Sequence, residues 1–353
     1  QKQASLCYKK LSMSKKNSDV ILKNYLQDFE DFSEVYLKFK SSLNKIKIKS
    51  FVVALSGGPD SLALVALTRA YKINHKRNSK FYYILINHNL RKNSSKEANQ
   101  VRLLLKKHKI RVNIFNNKIK IKKNTQSIAR KIRYEMIKKF CQKKKAYTIL
   151  TAHNLEDQVE TFFIRLSRGS GLAGLSAMKQ LTKLEGNIKL LRPLLEIKKI
   201  KLIKISKDFF GRYFNDPSNK NTKYLRTKIR NLKEPLLKSG INYDQIIKSI
   251  KNLASSKEVL DQYLDDIFLR LVKRSKKKIL INYKDFNRLN DLVKIKILNK
   301  SIKILKKNYY DNRSKKVSNL INTLKVNKFK KASLGGCEFF RIKDDLCVKI
   351  DKE

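Results

Sequence analysis

The sequence predicts an α/β protein, with a doubly wound, mainly parallel sheet followed by a smaller, mostly helical domain. Three observations carry that reading. Short uncharged runs recur between lysine-rich stretches, and each is followed by a segment of helical periodicity. The runs are continuous rather than alternating, the pattern of strands covered on both faces. After about residue 232 they give way to amphipathic helical stretches. Strand–helix alternation implies parallel strands joined by helical crossovers, with ligands at the carboxyl ends of the strands.

The elements follow in order. Residues 20–46 read as a helix, with Leu22, Tyr25, Leu26 and Phe29 on one face. KSFVVAL (49–55) is the first strand and SLALVALTRAYK (61–72) its helix. FYYILINH (81–88) and KEANQVRLLLKKH (96–108) form the second pair. RVNIF (111–115) is a weaker strand, followed by a helix over SIARKIRYEMIKKFCQ (127–142). YTILTAH (147–153) and NLEDQVETFFIRLSR (154–168) are the fourth pair. Further on, residues 259–274 place Val259, Leu260, Tyr263, Leu264, Ile267, Phe268, Leu271 and Val272 on one helical stripe. Residues 293–307 read as another amphipathic helix, and 335–350 as a closing hairpin.

A chain of 353 residues exceeds one comfortable core, so two domains are expected. The expected boundaries are a tail over 1–20, the α/β domain over 21–215, a basic connecting segment over 216–235, and the helical domain over 236–353. No apolar run approaches the roughly 18 residues of a membrane span. The first twenty residues hold no apolar signal-like stretch, and Met13 reads as the natural start. Cys7, Cys141, Cys337 and Cys347 form no CxxC pair. That argues against a zinc ribbon or a cysteine-bound cluster and suits a reducing cytoplasm. The formal charge of +54 points to a polyanionic partner, nucleic acid above all, although lysine abundance throughout marks part of it as compositional bias.

The chemistry-bearing stretches stand at strand ends. SGGPDS follows the first strand and opens a helix, where backbone N–H groups and the helix dipole bind phosphate. Gly57 and Gly58 permit close backbone approach, Ser56 and Ser61 can donate to phosphate oxygens, and Pro59 opens the helix. Asp60 beside a polyanion calls for a bridging Mg²⁺ ion. The stretch is neither a Walker A loop nor GxGxxG. In TAHNLEDQVETFFIRLSRGSG, the spacing of His153, Asp157, Glu160 and Thr161 places them on one helix face, a pocket for a cationic or metal-bound group. A solvated acidic face is the bland alternative, and a zinc site lacks a third ligand. Arg168 starts a basic turn. His88, closing the second strand, can touch a base or ribose. Arg130 and Arg133 share a helix face, for phosphate or to cover a sheet edge. In residues 212–231, Tyr213, Phe214 and Tyr224 interleave with Lys220, Lys223, Arg226, Lys228 and Arg230, a composition suited to RNA.

Together these motifs resemble a known family. SGGPDS resembles the PP-loop of the Rossmann-like N-type ATP pyrophosphatases. INHNLR, ARKIRY, TAHNLEDQVETFFIRLSRGSGLAGLSAM, LLRPLL and NDPSNKNTKYLRTKIR stand in the order of the tRNA(Ile)-lysidine synthetases. The likeness is strong over roughly residues 48–235, and the remainder is similar to that family's middle domain, which implies that residues 236–353 are a helical tRNA-binding domain with a terminal hairpin. It implies a short form that stops there, without an extra C-terminal domain. It implies a cytoplasmic ligase that adenylates C2–O of the wobble cytidine in a CAU-anticodon tRNA(Ile) and then joins the ε-amino group of free L-lysine to C2. ATP and Mg²⁺ are the implied cofactors. By the same resemblance, Asp60 holds the metal, Asp157 and Glu160 receive the lysine, and His153 and Arg168 line the catalytic site. Arg130, Arg133, Lys223, Arg226 and Arg230 face tRNA, and a homodimer is an allowed assembly. Two departures stand out: Asn87 precedes His88 where the family often has Asp, and Glu156 precedes Asp157 where it often has a second Asp. The competing readings are a 2-thiocytidine-type sulfur transferase, disfavoured by the missing cysteine pair, and a non-catalytic RNA-binding protein.

Overall fold

The computed structural model describes residues 30–46, 48, 50–74, 79–89, 93–117, 119, 125–215, 222, 224–275, 277–306, 314–326 and 329–351. The chain divides into two units, residues 1–251 and 252–353.

The first unit opens with α1 (Glu30–Asn44), whose buried stripe Phe32, Val35, Tyr36, Phe39 and Leu43 has helical spacing. Leu22, Tyr25, Leu26 and Phe29, expected on the same helix, lie outside the described residues. Four strand–helix pairs then follow where the sequence predicts them: β1 (Ser50–Leu55) and α2 (Pro59–Asn74), β2 (Lys80–Asn87) and α3 (Ser94–Lys107), β3 (Val112–Asn116) and α4 (Thr125–Lys144), β4 (Thr148–Leu150) and α5 (Leu155–Leu166). The expected strand 147–153 keeps only three residues. Its end bends away because Asn154, in extended conformation, caps α5. His153 therefore lies before the helix rather than on its face.

Between α5 and residue 211 the sequence pattern predicts no elements. The structure has α6 (Leu172–Leu175), β5 (Leu181–Lys183), β6 (Lys189–Leu191) and α7 (Lys199–Phe210). Three-residue strands carry too few positions to show a period. The sheet runs β3-β2-β1-β4-β6-β5, parallel throughout except for β5. In β1, Phe51, Val53 and Leu55 join the core shared with α1, α2, α3 and α7. Val52, with Ala54 packed beside it, joins the opposite core with Ile137, Phe140 and Cys141 of α4. Both faces are covered, so both parities of the strand are apolar. The strand order reverses between β1 and β4, which opens a crevice at their carboxyl ends.

The rest of the first unit is α8 (Leu225–Asn231), α9 (Lys233–Lys238) and the start of α10 (Tyr243–Leu271). Tyr243, Ile246 and Ile250 pack on Leu155 and Val159 of α5, so the division between units falls inside α10.

In the second unit, the end of α10 buries Leu264, Ile267, Phe268 and Leu271, while Val259 and Tyr263 of the expected stripe are 67% and 54% exposed. The helix stops at Leu271. Residues 272–274, expected to continue it, are β7 (Val272–Arg274), which pairs with β8 (Lys278–Asn282). Alternation in β8 is plain once paired, with Ile279 and Ile281 both fully buried, but the surrounding lysines hide it in sequence. Then come α11 (Tyr283–Asn287), α12 (Asp291–Leu305), α13 (Ser314–Leu324), β9 (Lys331–Leu334), β10 (Cys337–Ile342) and β11 (Asp345–Ile350). The expected closing hairpin is β10–β11, and it belongs to a five-stranded antiparallel sheet, β7-β8-β11-β10-β9. Ile297, Leu298 and Ile302 of α12 and Val317, Leu320 and Ile321 of α13 share one core with Phe339, Leu346 and Val348 of the sheet.

Candidate active site

The loop after β1 is built by its glycines and serines. Gly57 has φ +82°, and a Cβ there would lie 2.4 Å from Val101 Cγ2 of α3. Glycine is therefore required twice over, by backbone conformation and by space. The Phe214 N–H donates to Gly57 O at 3.0 Å, so the strap at 212–215 is fastened to the loop. Ser61 Oγ donates to Gly58 O at 2.9 Å and lies 3.3 Å from both the N–H and the hydroxyl of Ser56. Pro59 takes the first helical position, where its missing N–H costs nothing.

Asp60, in the first turn of α2, has a buried Oδ1 without a hydrogen-bond partner. Burial raises its pKa to about 6, and Asp157 and Glu156 push the same way against Lys199 and a hydrogen bond from Asn154. An orphaned carboxylate oxygen, beside two further carboxylates and a phosphate-type loop, fits Mg²⁺. That ion is bound through one or two carboxylates together with substrate phosphates. Asp60 is the residue that would hold it.

The carboxyl end of β4 supplies the opposite wall. Asn154 and Asp157 form a reciprocal capping box, Asp157 N–H to Asn154 Oδ1 at 3.0 Å and Asn154 N–H to Asp157 Oδ2 at 3.1 Å. Glu156 accepts from the Lys199 N–H at 2.8 Å, tying α5 to α7. His153 Nδ1 lies 2.9 Å from Thr151 Oγ1. Burial, then the guanidinium groups of Arg192, Arg130, Arg226 and Arg133, push its pKa down to about 3, so the ring is neutral at pH 7.

The structure brings several predicted residues together in pairs. Glu160 has a side chain only 3% exposed, and it accepts from Arg226 Nε and Arg230 Nε, both at 2.7 Å. Arg226 also lies 3.5 Å from Asp157 Oδ1. The two expected lysine acceptors and two of the expected tRNA arginines thus neutralise one another across α5 and α8. Arg133 donates to His88 Nε2 at 3.2 Å, which leaves the proton of that ring on Nδ1, buried and unpartnered. Burial and Arg133 hold His88 at about 4. Arg130 stacks over Tyr134, 5.2 Å from its centroid. Arg168 is exposed in the turn after α5, and no described contact joins its side chain to the cluster. Thr161 is half-buried on α5. Lys223 and Lys220 lie outside the described residues. Asn87, the departure from the family pattern, is 4% exposed and contacts Asn89 and Asn116 through its amide, anchoring the end of β2 to that of β3.

Sequence reasoning passed over Asn154 and Arg192. Arg192 directly follows β6, is 6% exposed, and donates through Nη1 to Lys179 O and Thr182 Oγ1 while its Nε has no partner. Its signal was an arginine inside the apolar run LLRPLL. Asn154 gave no signal apart from its place before an apolar-periodic segment.

Comparison with known proteins places the chain among PP-loop proteins. The model of the PP-loop domain matches residues 32–236. The chain is 36% identical over 216 residues to the tRNA(Ile)-lysidine synthase of Orientia tsutsugamushi (strain Boryong). That match covers 61% of this chain and 48% of the relative, so the chain spans about half of that relative's length. Against the chloroplastic tRNA(Ile)-lysidine synthase of Gracilaria tenuistipitata var. liui it is 30% identical over 316 residues, covering 88% of this chain and 94% of the relative. Among solved structures, the U34-tRNA thiolase NcsA of Methanococcus maripaludis aligns with TM-score 0.55 and 19% identity over 64% of this chain and 79% of that one, a likeness of fold alone.

Proposed function

We propose, from the premise that this chain belongs to the tRNA(Ile)-lysidine synthase family of PP-loop proteins, that it ligates free L-lysine to the wobble cytidine of a CAU-anticodon tRNA(Ile) at the expense of ATP. The observation that carries the reading is Asp60: a buried, unpartnered carboxylate oxygen at a glycine loop, opposite the acidic mouth of α5.

The reaction has two displacements. C2–O of the cytidine attacks the α-phosphorus of ATP, and pyrophosphate leaves. The lysine ε-ammonium gives up a proton to solvent, the free amine attacks C2, and AMP leaves with the oxygen. Mg²⁺ held by Asp60 would neutralise charge on the departing pyrophosphate. The backbone at Gly57 and Gly58, with Ser56 and Ser61, receives the phosphates. Neutral His153 and the Nδ1–H of His88 offer hydrogen bonds to nucleotide or base without adding charge. Asp157, whose side chain is 21% exposed, offers the accessible carboxylate oxygen for the lysine ammonium, and Glu160 joins it when Arg226 and Arg230 turn to RNA phosphate. Arg130, Arg133, Lys223 and Arg168 complete the tRNA contacts of this unit, and residues 252–353 supply the others. The substrate sets the place of action as the cytoplasm or its organellar equivalent.

The sulfur-transferase reading gains nothing from the described cysteines. Cys141, Cys337 and Cys347 are buried, and burial pushes the Cys141 thiol up to about 12. No described helix is long and apolar enough to cross a membrane.

The test is retention of labelled lysine on RNA with ATP, Mg²⁺ and unmodified CAU-anticodon tRNA(Ile). Asp60→Ala and a CAU-anticodon methionine tRNA serve as controls. Label on the isoleucine tRNA alone, lost in the variant, is expected. AMP without label would overturn the lysine assignment, and neither product from a folded chain would overturn the enzyme.

A further inference from the structure

Arg192 stands where two strand ends meet. It directly follows β6, which runs parallel to β4 with Leu191 beside Leu150. The Thr151 N–H donates to Leu191 O at 3.1 Å, so the two strand ends are stitched together and the segment carrying His153 leaves the sheet beside Arg192. Of the charges acting on His153, Arg192 is the strongest. Asp60 answers to another set, with Lys199 and Asp157 foremost. Arg192 therefore belongs to the His153 side of the crevice rather than to the glycine loop.

The guanidinium is costly where it lies. Arg192 is 6% exposed and makes no ion pair among the described residues. Burial lowers its pKa, Tyr134 opposes that shift, and the like charges of Arg130 and Arg165 add to it. A buried charge without a counter-charge is destabilising. Holding the chain together does not require one. Nη1 donates to Lys179 O at 2.7 Å and to Thr182 Oγ1 at 2.8 Å. Both acceptors are neutral, and an amide side chain would satisfy them. Nε is buried with no partner. With Nη1 held on the far side, the edge made by Nε and Nη2 is left over, a fork that matches two oxygens of one phosphate. A charge fixed in place before its anion arrives is preorganised to stabilise that anion.

We infer that Arg192 is a catalytic residue of the second displacement, binding the phosphate of AMP as it leaves the cytidine. The inference rests on the reaction proposed above. In that step the bond from the lysine nitrogen to C2 forms and the C2–O bond breaks. The electron pair goes with the oxygen to AMP, whose phosphate gains a second negative charge, and the proton released by lysine goes to solvent. Pyrophosphate has left by then, and with it the phosphates that a metal on Asp60 would bridge. The glycine loop and Asp60 thus serve the first displacement, and Arg192 serves the second.

The experiment follows each displacement separately, with the full chain, CAU-anticodon tRNA(Ile), Mg²⁺ and ATP labelled at the α-phosphorus. Label held on RNA before lysine is added reports the adenylated cytidine, and its release by lysine reports the second displacement. Arg192→Gln is expected to adenylate RNA at nearly the parent rate and to release the label about a hundredfold more slowly. Arg192→Lys, which keeps the charge without the fork, is expected to recover part of that loss. ATP binding without RNA reports folding. A residue that only holds β5 to β6 would affect both displacements alike, so equal effects on the two steps, or none on either, overturn the inference. A second measurement uses the unaltered chain with EDTA in place of Mg²⁺ and compares AMP with adenosine. AMP is expected to bind about tenfold tighter. Equal affinities overturn the inference even if both substitutions unfold the chain. An unaltered chain that puts no label on RNA removes the proposed reaction and the catalytic role with it, while an AMP preference lost in Arg192→Gln would keep the phosphate contact.

Discussion

Asp60 and Gly57 show at the residue scale what the loop after β1 gives up for its chemistry. Burial holds Asp60 near 6 instead of 3.8, so the folded chain binds that proton more tightly than the unfolded chain does. Stability must then fall as pH rises from about 4 to about 6, and the cost is fully present at neutral pH. Asp60→Asn is expected to stabilise the fold by about 3 kcal/mol at pH 7.5, a gain that vanishes by about pH 3. Denaturant midpoints across pH read this directly. The same variant is expected to lower AMP formation by at least about a hundredfold, because a neutral amide cannot hold a divalent ion against phosphate. A variant less stable than its parent at pH 7.5 would count against a charged Asp60 whose Oδ1 has no partner. Gly57→Ala is expected to cost about 1–2 kcal/mol for its left-handed backbone, and more from the overlap with Val101. Val101→Ala relieves the overlap but not the backbone, so a double-mutant cycle is expected to show favourable coupling and incomplete recovery. Strict additivity would mean that the loop moves away from α3 instead of clashing with it.

At the scale of elements, helix α5 is positioned by one residue that also serves the loop opposite. Asn154 caps α5 through its carbonyl oxygen and hydrogen-bonds Asp60. Asn154→Ala is expected to cost about 1 kcal/mol in cap energy. Asn154→Asp keeps a capping oxygen but sets a third carboxylate against Asp60. Both changes remove a hydrogen bond that lowers the Asp60 pKa, so both are expected to move the acid limb of ATP cleavage to higher pH. Only Asn154→Ala is expected to lower the denaturant midpoint through loss of the cap. Coincident pH–rate profiles for parent and variants would show that Asn154 acts on the helix alone. The elements legible in the sequence were those long enough to show an apolar run or a period: β1 to β4, the helices α2 to α5 and α12, and the β10–β11 hairpin. The three-residue strands β5 and β6 were silent, and β7 and β8 were masked by lysines on their exposed parity. The glycine loop was legible because its parts are contiguous. The pairing of Glu160 with Arg226 and Arg230 was not, because only the fold brings α8 against α5.

For the whole molecule, the proposed function leaves charge to set how strongly RNA is held and geometry to set which RNA. The excess of 54 positive charges attracts any phosphate backbone, and it releases counterions in proportion to the contacts made. The groups proposed to read sequence or shape are fewer and local: His88, His153 and the crevice between β1 and β4. These two contributions respond differently to salt. Raising KCl from 50 to 200 mM is expected to weaken binding of CAU-anticodon tRNA(Ile) by about a thousandfold, given six or more phosphate contacts. An unrelated RNA of equal length is expected to weaken by a similar factor, because backbone contacts carry no sequence information. The ratio of the two affinities should therefore stay nearly constant while both collapse. Anisotropy titrations of both RNAs across the salt series measure it. A ratio that shrinks towards one as salt rises would place the discrimination in the lysine field itself, and the pocket at the strand ends would then supply chemistry without choosing the substrate.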